Sequence, residues 1–165
     1  MPAIDLVLRT AQDDSDRTVL GDVARVGWHI VGITEDVDPP LPPYAFSVGM
    51  YYTLGSPELV VAGLPAEVAA ELINALGDAV RGGRALACDM PITGFLTGYD
   101  VVLKPVSPTR YKSDLGYAVW FYRNLPQGFP CWQVFWPDQA GHFPWDAACP
   151  PAMRTRQIDF TTSDS

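Results

Sequence analysis

Pro130-Cys131-Trp132-Gln133-Val134-Phe135-Trp136, continued by Pro137-Asp138-Gln139-Ala140-Gly141-His142-Phe143-Pro144-Trp145-Asp146, is the stretch on which the reading of this chain turns. It holds three tryptophans, two phenylalanines and one of the two histidines in the sequence. Its first half alternates with a period of two, which predicts a strand with Trp132, Val134 and Trp136 on one face and Gln133 and Phe135 on the other. Pro137, Asp138 and Gly141 then break the strand and turn the chain. A strand so rich in rings, ending in such a turn, suits the wall of a pocket.

The totals set limits on what that pocket serves. The chain has 165 residues, 48% of them hydrophobic, enough for one domain with a real core. A net charge of -8 argues against a protein that tracks nucleic-acid phosphates or an anionic membrane surface. Three cysteines, Cys88, Cys131 and Cys149, show no CxxC spacing, so neither a disulfide framework nor a zinc cluster is signalled. The first residues carry no basic leader and no long apolar run. Neither a signal peptide nor a membrane span is therefore expected, and the expected setting is cytoplasmic with reduced thiols.

Upstream of the aromatic stretch, elements alternate irregularly. Residues 1–14 and 158–165 read as polar tails around a single domain at 15–157. Ser15 or Asp16 can cap a first helix carrying Val19, Leu20, Val23 and Val26, with Gly27 just past its end. Residues 28–33 and 44–52 read as strands, the second placing Tyr44, Phe46, Val48, Met50 and Tyr52 on one face. The acidic, proline-rich loop at residues 34–43 lies between them. Residues 58–62 form a third strand. A helix over 65–81 carries the stripe Val68, Leu72, Ile73, Leu76 and Val80, and Gly82-Gly83 stops it. Strand-like segments at 84–88 and 99–106 precede a helix over 115–124 bearing Tyr117, Trp120 and Phe121. No GxGxxG or GxxxxGK[ST] pattern joins these elements. The expected fold is α+β, a mostly antiparallel sheet with helices packed on one side.

The segments Gly27-Trp28-His29-Ile30-Val31, Tyr44-Ala45-Phe46-Ser47-Val48-Gly49-Met50, Pro57-Glu58-Leu59-Val60-Val61, Gly63-Leu64-Pro65, Trp120-Phe121-Tyr122, Gln133 to Asp138 and Phe143-Pro144-Trp145 together resemble an uncharacterised bacterial family, domain of unknown function 4262. The resemblance spans roughly residues 16–145 and brings no activity with it. The family commonly has a histidine before the Pro-Glu of a Gly-x-Pro-Glu turn, where this chain has Ser56. Any chemistry of that histidine is lost here or performed by another group.

Among candidate site residues, His142 stands in a turn beside aromatics and is the better placed general base; His29 lies in a strand. Together with Glu58 or Asp138 the two histidines would make a metal site only without any local ligand spacing, so no metal or cofactor is expected. Glu58 and Asp138 each stand beside a proline at a strand end. Each either caps a turn or acts as an acid or base whose pKa is raised by aromatic surroundings. Arg123 either complements a helix end or binds a ligand carboxylate or phosphate. Cys131 reads as a small apolar residue unless a histidine base reaches it, and Ser47 and Ser56 lack a GxSxG context.

The function expected from these residues is small-molecule binding, extending to a cofactor-independent biosynthetic enzyme for proton transfer, cyclisation or isomerisation. Asp138 and His142 would be catalytic, and Tyr44, Tyr52, Trp120, Arg123, Gln133, Trp136 and Trp145 would contact the ligand. The alternative is a non-catalytic interaction module of the immunity or regulatory type, docking an unidentified protein partner through tryptophans and the loop at residues 36–43.

Overall fold

The computed structural model describes residues 2–34 and 41–163. In chain order they form α1 (Asp14–Arg25), β1 (His29–Ile33), β2 (Tyr44–Val48), α2 (Met50–Leu54), β3 (Glu58–Ala62), α3 (Ala66–Arg81), β4 (Ile92–Leu96) and β5 (Tyr99–Pro105). A 3-10 turn (Pro108–Arg110) then leads to α4 (Tyr111–Asp114), α5 (Gly116–Phe121), β6 (Cys131–Phe135) and α6 (Pro151–Arg156). The strands make one α+β sheet in the order β1-β2-β3-β6-β5-β4. β3 and β6 run parallel; the other neighbouring pairs are antiparallel.

β3 is buried along its whole length, which is why its sequence, Glu58-Leu59-Val60-Val61-Ala62, is almost continuously apolar. Its alternate residues enter two cores. Leu59 and Val61 join Ala45, Leu103, Val134 and Trp136 beneath Ala69, Leu72, Ile73 and Leu76 of α3. Val60 and Ala62 join Phe46, Val48 and Cys131 beneath Val19 and Val23 of α1 and Ala118 and Phe121 of α5. Helices therefore cover both faces, where the sequence pattern placed them on one. Both sets of alternate side chains are apolar, so each face needs a cover. The alternation read in β6 holds: Trp132, Val134 and Trp136 all belong to the α3 side.

Three further differences have local causes. Met50–Tyr52 was expected to extend β2, but Gly49 adopts φ 103° and the chain turns into α2. A Cβ on Gly49 would stand 2.6 Å from a Val23 methyl, so glycine is needed for space as well as for φ. Residues 84–88 contribute a single bridge, Cys88 to Leu103, and the strand that pairs with the outer side of β5 is β4, whose register shifts between Ile92 and Leu96. Asp13, rather than Ser15 or Asp16, caps α1 by accepting from the Asp16 N–H at 2.8 Å.

The segments expected as tails also make contacts. The Ala3 N–H donates to the Tyr52 carbonyl at 2.9 Å, and Ile4 and Leu6 rest against the α1–α5 core. Near the other end, Phe160 is only 1% exposed and its ring lies 5.0 Å from that of Tyr44. Two buried glutamines hold this segment down. Gln133 donates to the Ile158 carbonyl at 2.6 Å and accepts from the Phe160 N–H at 2.8 Å. Gln157 donates to the Trp136 carbonyl at 2.7 Å and accepts from its N–H at 3.2 Å. The three cysteines are free thiols. Among the described residues no helix is long and apolar enough to cross a membrane.

Candidate functional site

Antiparallel neighbours can be joined by a hairpin loop of about two to five residues. β5 and β6 are joined instead by residues 106–130, and this excess chain folds back as α4, α5 and a following loop. It serves two ends. Leu115, Ala118, Phe121 and Leu125 cover the sheet, and the outer surface encloses a cleft of about 790 Å³. Tyr111, Val119, Trp120, Tyr122 and Phe129 supply its apolar lining, with Lys112, Arg123 and Gln127 as polar groups.

The base of the cleft is a stack of rings. Tyr111 and Tyr122 stack on Phe129, with centroids 4.8 and 4.7 Å away and planes inclined by 26° and 27°. Trp120 meets Tyr117 edge-on at 5.8 Å, and the Arg9 guanidinium stands 5.6 Å from the Trp120 ring centroid. Burial pushes the Tyr111 hydroxyl up to about 12, so it remains a neutral phenol at physiological pH.

Behind Tyr122 lies the most enclosed carboxyl of the molecule's sheet. Glu58, at the first position of β3, is 1% exposed and meets five donors. Oε1 accepts from Ser47 Oγ at 2.7 Å and the Met50 N–H at 3.1 Å. Oε2 accepts from the Gly49 N–H at 3.0 Å, the Tyr51 N–H at 3.1 Å and the Tyr122 phenol. The two hydroxyl donors are themselves held. Ser47 Oγ accepts from the Leu59 N–H at 2.9 Å, and Tyr122 Oη from the Tyr52 N–H at 3.0 Å. Burial pushes the Glu58 carboxyl up from its ordinary value, and the donors from Ser47, Tyr122 and the turn oppose that rise. Burial and the neighbouring Glu58 charge raise Tyr122 as well. Glu58 thus combines both sequence readings: it caps the turn into α2, and it is a carboxyl with a raised pKa. Its contacts are spent within the fold.

The other expected site residues disperse. Trp120 and Arg123 line the cleft. Tyr52 borders a smaller groove with Arg81, while Tyr44 donates to the Asp114 carbonyl at 2.8 Å beside Arg110. Gln133 is fully buried, and both ends of its amide are committed to residues 158 and 160, so it is no ligand contact. Trp136 donates from its indole to the Ala62 carbonyl at 2.8 Å and edges an open groove shared with Asp138. Trp145 is 46% exposed, stacked on Phe143 at 5.0 Å with Lys104 over its ring.

Asp138 and His142 do meet, with Oδ2 and Nδ1 3.3 Å apart. Asp138 also accepts the backbone N–H groups of Ala140 and His142, at 2.9 and 2.8 Å. Of the two readings of Asp138, turn capping holds and the raised pKa is reversed. The His142 backbone N–H, foremost, holds this carboxyl below its ordinary value, because the turn supplies donors rather than an apolar shield. His29 pairs with Asp22 at 2.7 Å, so the two histidines serve separate carboxylates. Among the described residues no three His, Cys, Asp or Glu side chains form a metal-binding group. Burial, followed by the nearby Glu58, raises the Cys131 thiol well above its ordinary value, which suits an inert buried residue.

Lys112, Val119 and Phe129 went unrecognised as lining residues, since nothing local marks a ring two positions before a strand as part of a cleft.

Fold and cleft define an α+β protein with a six-stranded mixed sheet and an aromatic-walled cleft in the crossover preceding its last strand. The chain belongs to the family described as domain of unknown function DUF4262, whose model matches residues 22–150 and so takes in both the Glu58 cage and the cleft. No curated protein and no solved structure matches it.

Proposed function

We propose that this protein binds a small molecule in the cleft between Tyr111, Trp120 and Phe129. The observation that carries the proposal is a concave, ring-lined space of about 790 Å³ over a base of stacked rings, within the range of roughly 300–1,000 Å³ usual for ligand sites. Flat aromatic surfaces and a small number of polar groups at the rim favour a ligand with a planar apolar body. Asp138 and His142 line no part of this cleft, which leaves an acid–base reaction there without its proposed pair. Binding, rather than cyclisation or isomerisation, is the function the geometry favours.

The interaction-module reading rests on Trp145, the exposed indole, and its stacked neighbour Phe143. The remaining proposed docking element lies largely outside the described residues, at 35–40. A thermal-shift screen of small aromatic molecules against wild type and Trp120→Ala separates the readings. Stabilising compounds that lose their effect in Trp120→Ala support the cleft. Compounds that act equally on both proteins, or none that act, would overturn it.

A further inference from the structure

Aromatic walls alone do not fix the charge of a ligand: rings hold a cation over their faces as readily as they stack on another ring. The charged groups at the cleft decide it. Lys112 and Arg123 line the cleft, no lining residue bears a carboxylate, and Arg9 stands over Trp120 at its border. This occurs in a chain with 19 acidic against 11 basic residues, so a stretch of surface with cations and no acid is against the overall balance. Nor are these cations neutralised locally. Among the described residues the ion pairs use Arg17, Arg25, His29, Lys104, Arg110 and His142, and neither Lys112 nor Arg123 takes part. Both residues are exposed and line the cleft.

From this placement we infer that the cleft's ligand is a planar apolar molecule bearing an anionic group, most simply an aromatic carboxylate. Its ring system lies against Trp120 and Phe129, and its anion is held by Arg123 and Lys112. The inference rests on the small-molecule reading above and specifies its chemical class. Arg123 offers the paired N–H geometry that fits a carboxylate, and Lys112 adds a point charge from the neighbouring segment. A cationic ligand would meet two like charges, and a neutral one would leave them with no role in binding. The net negative charge of the chain repels an anion at long range, and the cations at this mouth offset that repulsion locally.

Three probes of one ring system test the sign: naphthoate, naphthalenemethanol and naphthylmethylammonium, titrated calorimetrically into the full chain at low salt. Naphthoate is expected to bind at least about tenfold more tightly than the alcohol, the equivalent of one charge-assisted contact. Arg123→Gln and Lys112→Gln should each remove several-fold of that preference without altering the alcohol's affinity. Added salt should narrow the gap between the two probes. Equal binding of the acid and the alcohol, tightest binding of the ammonium, or naphthoate affinity unchanged in both variants would overturn the anionic class. In each of those outcomes Trp120→Ala would still weaken whichever probe binds, and the small-molecule reading would stand. No binding of any probe to the wild type would overturn both.

Discussion

Replacing Glu58 by glutamine changes one atom in the buried cage, and the contacts around it say what that costs. Both carboxyl oxygens accept a backbone N–H: Met50 on Oε1, and Gly49 and Tyr51 on Oε2. A carboxylate has lone pairs for all of them. A protonated carboxyl still does, since its hydroxyl oxygen can donate to Ser47 Oγ while accepting from Met50. An amide nitrogen has no lone pair to offer. Turned toward Oε2 it would strand two N–H groups and displace the Tyr122 phenol, so it will turn toward Oε1. There Ser47 Oγ can rotate to accept, but the Met50 N–H is left facing another donor in a water-free site.

One buried, unpaired donor costs about 1–3 kcal/mol. For a chain of this length that corresponds to a fall in Tm of about 2–12 °C. Glu58→Ala strands all five donors and should cost at least twice as much. The assay is thermal unfolding of the variants followed by circular dichroism at neutral pH, with urea denaturation as a second measure. A Glu58→Gln protein melting with the wild type would show that the cage does not need an acceptor at both oxygens, and the argument from lone pairs would fail. The pH profile is an independent arm. Because burial raises the folded pKa of Glu58, the folded state holds this proton more tightly than the unfolded state. Its contribution to stability is therefore present at low pH and is lost as pH rises through the folded pKa; Glu58→Gln should remove that downward slope.

Gly77→Ala should destabilise despite alanine's better helix propensity, because the added Cβ would stand 2.7 Å from Cζ2 of Trp28 and 2.9 Å from the Met50 methyl. The expected net loss is up to about 2 kcal/mol by urea denaturation, overpacking set against a propensity gain; a gain in stability would mean that Trp28 can shift freely. Phe160→Ala should lose about 3–5 kcal/mol, and a neutral result would return residues 158–163 to the status of a tail. Asp22 is held below its ordinary value, foremost by the His29 hydrogen bond. Its contribution is present above the unfolded pKa and lost as pH falls through the folded one. Asp22→Asn should therefore flatten the acid limb of the stability profile, and an unchanged limb would remove this pair from the account of acid unfolding.

The elements whose signal lies within their own residues were legible from the chain: α3 through its stripe, β3 through its apolar run, β6 through its alternation. What escaped depended on partners distant in sequence. Met50–Tyr52 carries strand-like residues, yet the N–H groups of Gly49, Met50 and Tyr51 are drawn to a carboxylate on the next strand, and that attraction with the Gly49 conformation overrides local propensity. Residues 158–163 look polar and aperiodic because their anchors are the side chains of Gln133 and Gln157, which no hydrophobic pattern reveals. Asp138 drew attention as a carboxylate among rings, but the nearest groups are the N–H donors of its own turn. Trp120 and Arg123, named from the sequence, do line the cleft, Trp120 from α5 and Arg123 from the turn just after it, while Ala118 and Phe121 of the same segment are buried toward the sheet.

The two faces of the sheet have been put to different uses, and Glu58 joins them. On one side α3 closes directly over Leu59, Val61 and Val134, and the helix–sheet contact is solid enough that Gly77 has no room for a methyl. On the other side the cover is built from several short pieces, and the cleft forms where α4, α5 and the following loop diverge. Short helices have little stability of their own and depend on tertiary anchors. Tyr122 is such an anchor. Its ring completes the stack at the base of the cleft, and its hydroxyl is tied to a carboxyl that also fixes the turn into α2. A loss at Glu58 therefore releases the phenol that holds the cleft's floor, whereas a loss at Gly77 acts on the opposite face of the sheet. The buried acid thereby holds this wall of the cleft in place from behind, without lining the cleft itself.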